Sequence, residues 1–140
     1  MKKVWRAETP DELGPIASEL VSLLPLKGAV LMFGDMGVGK TTLMRALMNA
    51  FRSEDAVSSP TFSLVNEYRV QQGVVYHFDL YRIDSPEEAL DIGIEEYLYA
   101  DSLCFIEWPD RLGYLVPEEV SEIHIRIVDN QREITFVSPR

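Results

Sequence analysis

Apolar residues follow three patterns along the chain. AVLMF, residues 29–33, is apolar throughout, LMRALMNAF, 43–51, repeats every three to four positions, and IHIRIV, 123–128, alternates strictly. The first predicts a strand buried on both faces, as in a parallel sheet. The second predicts a helix laid on that sheet, with Leu43, Ala46, Leu47, Ala50 and Phe51 inward and Met44 and Met48 extending the stripe. The third predicts a half-buried strand that turns at DNQ and pairs back along REITFV. Upstream, KVWRA reads as a short strand and Thr9, Pro10 and Glu12 as a helix start, with N-cap, first-turn proline and capping-box acid. Leu13, Ile16, Ala17, Leu20 and Leu24 then form its core-facing stripe.

RSEDAVSSPT, 52–61, has no sustained period and predicts a surface loop. FSLVNEYRV and VVYHFDLYRI, joined by QQG, predict an antiparallel hairpin. Ser85, Pro86 and Glu88 repeat the helix-start chemistry, a short acidic helix runs through IEEYLYA, and SLCFIE is a further apolar strand. No repeat or linker divides residues 1–140, so the expectation is a single α/β domain of the P-loop NTPase kind. Its sheet is mixed, with a parallel centre and antiparallel hairpins, and helices flank it.

Charge narrows the function. Thirteen Lys and Arg against 23 Asp and Glu leave −10, which disfavours a chain that grips nucleic acid by neutralising phosphates. Cys104 lies in an apolar strand and has no second cysteine to pair with, so it reads as a small core residue. No apolar run reaches the ~18 residues of a membrane span, and MKKVWRAE lacks a signal-peptide core, which makes the cytoplasm the expected setting.

GDMGVGKTT, 34–42, separates the buried strand from the helix and fits G-x-x-x-x-G-K-[S/T] at Gly34, Gly39, Lys40 and Thr41. Glycines permit positive φ and close backbone approach, so successive N–H groups can converge on an anion at a helix N-terminus. The cradle comprises Gly34, Asp35, Met36, Gly37, Val38, Gly39, Lys40, Thr41 and Thr42. Lys40 supplies positive charge to the β- and γ-phosphates, and Thr41 offers a hydroxyl to Mg2+. No Asn-Lys pair of a guanine-reading N-K-x-D motif occurs, so ATP is the expected nucleotide. Hydrolysis also requires carboxylates near the loop. Asp79 closes VVYHFD and Glu107 closes LCFIE; either can serve Mg2+ while the other orients water. Thr61 lies where P-loop switches order around the γ-phosphate.

GDMGVGKTT, SPTFSLVNEY, HFDLYRI and FIEWPDR occur in the order and at the spacing of the TsaE (YjeE) family, which the chain resembles over most of its length. The resemblance implies a bacterial P-loop ATPase of tRNA threonylcarbamoyladenosine synthesis, stimulated by its partners TsaB and TsaD. Of these, TsaD transfers the threonylcarbamoyl group to the adenosine beside the anticodon. The ATPase itself would act as a nucleotide-dependent switch, reaching tRNA only through the complex, with no role for membrane or DNA. Carried over by residue, Lys40 serves the phosphates, Thr41 and Glu107 serve Mg2+, Thr61 belongs to a switch segment, and Asp79 resembles a Walker B or catalytic acid. Thr9 matches a residue near the adenine, although its N-cap role explains it too. Trp108 matches a tryptophan suited to the nucleotide, to docking or to the core.

His77 and His124 lack partners at zinc spacing and read as ordinary strand residues; Arg82 and Arg111 read as structural or partner-facing. Two other classes remain open: a small-molecule kinase, disfavoured because no arginine-rich lid is evident, and a nucleotide-bound scaffold.

Overall fold

The computed structural model describes residues 1–57 and 64–139. Seven strands form one sheet in the order β1-β7-β6-β2-β5-β4-β3. They are β1 (Lys2–Ala7), β2 (Gly28–Phe33), β3 (Val65–Val70), β4 (Gly73–Asp79), β5 (Leu103–Glu107), β6 (Ser121–Val128) and β7 (Gln131–Val137). The all-apolar runs take the centre: β2 lies parallel to β5 on one side and to β6 on the other, and β4 continues the parallel set beyond β5. The two predicted hairpins form as β3–β4 and β6–β7, both antiparallel, and β1 adds an antiparallel edge on β7. The mixed α/β sheet expected from the pattern is thus the sheet observed.

Helices cover both faces. On one, α1 (Leu13–Leu23) and α2 (Lys40–Ala50) pack over a core containing Leu20, Leu43, Leu47, Phe105 and Phe136. On the other, α3 (Pro86–Asp91), α4 (Ile94–Leu98) and the 3-10 turns of Pro109–Leu115 pack over Leu31, Phe78, Leu80 and Ile106. Met44 and Met48 do extend the stripe: with Leu43 and Leu47 they are the most deeply buried positions of α2, while Ala46, Ala50 and Phe51 are only partly covered. Each such buried side chain contributes about 1.5–3 kcal/mol.

The first helix starts differently from expectation. A 3-10 turn, Pro10–Glu12, precedes α1, and the Thr9 side chain makes no capping hydrogen bond. The Glu12 N–H that a Thr9 cap would bind is donated to the Thr9 carbonyl at 3.1 Å, and the Glu12 carboxylate accepts the Glu8 N–H at 2.7 Å. Only the acid's half of a capping box forms, one residue upstream of where the spacing put it. At α3 the expected cap does form, with Ser85 Oγ accepting from Glu88 N at 3.4 Å.

Among the described residues no helix is long and apolar enough to cross a membrane. Cys104 is fully buried in β5, as a small core residue should be.

Candidate nucleotide site

Parallel strands deliver their C-terminal ends, and the loops that leave them, to one edge of the sheet. Here that edge carries the glycine turn after β2, Asp79 at the end of β4 and Glu107 at the end of β5.

Three glycines shape the turn, each for a local reason. Gly37 (φ 79) and Gly39 (φ 111) occupy the left-handed region, which side chains with a Cβ enter only at a cost. Gly34 is demanded by space: a Cβ there would lie 2.9 Å from the Ile125 carbonyl oxygen and 2.9 Å from Val38 Cγ1. The chain between them points Val38 into the core and Met36 outward. A residue from the far hairpin braces it, since Arg132 Nε of β7 donates to the Val38 carbonyl at 2.8 Å.

Lys40 opens α2 and turns back under the glycine turn, with only 7% of its surface exposed. Its ammonium donates to the Gly34 carbonyl at 2.7 Å, lies 3.7 Å from Glu107 Oε1, and sits 4.3 Å from the centre of the Trp108 ring. Trp108 achieves this through a left-handed backbone (φ 58, ψ 52), a conformation unfavourable for a bulky residue. Its ring also packs 5.0 Å from that of Tyr81.

Asp79 and Glu107 are register partners across β4 and β5. Glu107 is buried, and its Oε2 lies 2.5 Å from Nε2 of the buried His77. Asp79 Oδ1 accepts the Tyr81 N–H at 3.0 Å. Burial pushes the Asp79 carboxyl above the ordinary aspartate range; the Tyr81 N–H pulls it back, and the neighbouring Glu107 charge adds to the rise.

A cavity of about 620 Å³ opens over these groups, and its walls include Gly37, Gly39, Lys40, Thr41, Asp79 and Glu107. Met36, Thr42, Leu64, Tyr81, Arg82 and Trp108 complete the lining. Thr9 lies elsewhere, on a separate cavity of about 150 Å³ behind the glycine turn, although Gly39 and Thr42 border both. Gly34, Asp35 and Val38 support the loop without lining the larger cavity. Thr61 lies outside the described residues.

The residues fit a triphosphate with its metal. The Lys40 ammonium, bound to the Gly34 carbonyl, borders the cavity together with Gly37 and Gly39, so a cation and a glycine turn at a helix start share one space, the chemistry an anion needs. Among the described residues no three His, Cys, Asp or Glu side chains gather to hold a metal by themselves. Two adjacent carboxylates and a threonine match Mg2+, which usually takes one or two protein carboxylates and completes its shell with phosphate and water.

Two contacts were not anticipated from sequence. His77, read as an ordinary strand histidine, contacts a cavity carboxylate; the alternation in HFD, which puts residues 77 and 79 on one face, carried that signal. Arg132 had none, because 94 positions separate it from Val38. Arg82 lines the cavity, whereas Arg111 lies outside it beside Asp110. His124 pairs with Glu122 and stacks on Phe33, away from the carboxylate pair.

Buried strand, glycine turn, lysine-headed helix and strand-end carboxylates together define a P-loop α/β domain. The chain belongs to the TsaE family: a family model described as "Threonylcarbamoyl adenosine biosynthesis protein TsaE" matches residues 7–134. Among its relatives, the tRNA threonylcarbamoyladenosine biosynthesis protein TsaE of Haemophilus influenzae is 36% identical, with 92% of this chain and 86% of that protein covered. The protein of the same name from Bacillus subtilis is 35% identical, with 96% and 84% covered. The crystal structure of Bacillus subtilis YdiB superimposes with a TM-score of 0.76 at 27% identity, covering all of this chain and 87% of that one.

Proposed function

We propose that this protein is a Mg2+-dependent ATPase that serves tRNA threonylcarbamoyladenosine synthesis as a nucleotide-driven switch, acting on a TsaB–TsaD complex rather than performing the transfer. The observation that carries the reading is the convergence of Lys40, Thr41, Asp79 and Glu107 on one cavity at the mouth of the glycine turn. Family membership supports the pathway.

Each residue then has a task. The amides of residues 37–41 bind phosphate oxygens, and Lys40 exchanges the Gly34 carbonyl for the β- and γ-phosphates. Thr41 and Glu107 hold the metal, which when bound neutralises charge on those oxygens. Asp79, whose carboxyl is already shifted toward holding a proton, orients the attacking water and receives its hydrogen bond. Met36, Tyr81 and Trp108 line the same cavity. Lys40→Ala removes the only ammonium on this cavity among the described residues and is expected to abolish productive nucleotide binding.

The test is ATP hydrolysis measured for the chain alone and with TsaB and TsaD, using Lys40→Ala as the control. Stimulation by the partners is the expected result. Phosphate transferred to an added metabolite would favour a kinase, and no ATP turnover in any mixture would leave only a scaffold.

A further inference from the structure

His77 is buried completely, yet among the described residues only one of its ring nitrogens has a partner. Nε2 faces Glu107 Oε2 at 2.5 Å, whereas Nδ1 is enclosed without any hydrogen-bond partner. A histidine kept for packing alone would be expected to satisfy both nitrogens or to be replaced by an apolar ring. This one leaves Nδ1 unsatisfied and keeps a single bond, to a carboxylate that borders the cavity.

The two oxygens of Glu107 are thereby made unequal. Oε2 is tied to His77, while Oε1 faces the Lys40 ammonium at 3.7 Å on the cavity side. The contact holds a single hydrogen, and a positioning role for His77 requires that it sit on Nε2, with Oε2 accepting. The ring itself is held between strands. Tyr68 on β3 stacks on it at 6.4 Å, and Phe105 is its register partner on β5. A glutamate carboxyl otherwise turns freely about its last torsion; here a rigid ring fixes it.

We infer that His77 is a positioning residue which immobilises Glu107 through Oε2, so that Glu107 presents Oε1 alone, as a one-oxygen ligand, to a divalent cation bound with nucleotide. The inference rests on the ATPase reading and deepens it. Partners of this kind behind a metal ligand typically change metal affinity by about 10–100-fold. The effect should appear in the metal requirement and not in the grip on the nucleotide, because His77 is absent from the cavity walls.

The experiment titrates a fluorescent ATP analogue into the protein, first with EDTA and then at rising Mg2+, for wild type, His77→Phe and His77→Gln. Phenylalanine keeps a ring in the core and removes the donor; glutamine restores an N–H. The expected result is a Mg2+ midpoint raised about tenfold or more in His77→Phe and within about threefold of wild type in His77→Gln, with affinity in EDTA unchanged for both. A wild-type chain that binds no analogue under either condition would overturn the ATPase reading together with this one. Mg2+-dependent binding by wild type, reproduced by His77→Phe with an unchanged midpoint, would overturn the positioning role alone. So would equal weakening of both variants with and without the metal. If His77→Phe does not fold, nitrogen NMR of the wild-type imidazole decides: a hydrogen on Nε2 supports the assignment, and a bare Nε2 refutes it.

Discussion

Asp79 and Glu107 stand side by side, as the last register pair of two parallel strands, with their carboxyls on the same face of the sheet. Placing two acids together in a half-dry cleft raises the cost of ionising both. Asp79 registers it: burial first, and the Glu107 charge after it, lift its carboxyl above the unfolded value.

A raised carboxyl favours the folded state while protonated, so its contribution is complete below the ordinary aspartate range and is lost as pH rises through the folded value. Above that, the ionised Asp79 opposes folding. Asp79→Asn keeps an acceptor for the Tyr81 N–H and removes the charge. Thermal melts should show it roughly 1–3 °C more stable than wild type at pH 7 and no more stable at pH 3. A gain that persists at pH 3 would contradict the assignment.

Glu107 answers differently. Removing it with Glu107→Ala strands His77 Nε2 in the core and takes the carboxylate away from Lys40, which should destabilise the fold by about 1–3 kcal/mol in urea unfolding. Glu107→Gln retains an acceptor for His77 and should lose less. Both variants are expected to keep some nucleotide binding and to hydrolyse ATP at least about 100-fold more slowly, by the scale on which single electrostatic groups act. Normal Mg2+-dependent turnover by either would remove Glu107 from the chemistry.

Gly34→Ala tests whether the start of the glycine turn is fixed by space. The new methyl would meet the Ile125 carbonyl and Val38 Cγ1, both at 2.9 Å. Either β2 and β6 separate at their ends or the turn shifts, at a cost of roughly 1–3 kcal/mol. Circular dichroism melts give the stability, and the same analogue titration should show weaker binding, because the displaced carbonyl is the one that Lys40 holds.

Cys104 should be inert. Burial in β5 pushes its thiol up to about 12, leaving almost no thiolate at neutral pH. A thiol reagent added to the native chain should react at the slow rate of global opening, and at once after denaturation. Rapid labelling of the native chain would show that β5 opens locally.

Local chemistry made most of this legible. AVLMF, GDMGVGKTT and the stripe beginning at Leu43 specify strand, turn and helix from neighbours in the chain, and the two hairpins follow from their own alternation. What required the third dimension was register. Nothing in the sequence reveals that Asp79 and Glu107 are direct neighbours, that β1 pairs with β7, or that Arg132 reaches the Val38 carbonyl. Thr9 misled for a related reason: its spacing fits a cap, but the 3-10 entry consumes the amide that the hydroxyl would have bound. Met44 and Met48 sit deeper than Ala46, Ala50 and Phe51 of the same stripe, in the core that α1 and α2 share.

The left-handed backbone of Trp108 has an optical consequence. It swings an indole to within 4.3 Å of the Lys40 ammonium, while the only other tryptophan, Trp5, is bound to Glu19 at the far edge of the sheet. Substituting Trp5 by phenylalanine leaves one indole, seated beside the ammonium that the proposed function assigns to phosphate. Its brightness and colour become a running record of whether that cation is at home or has been drawn away.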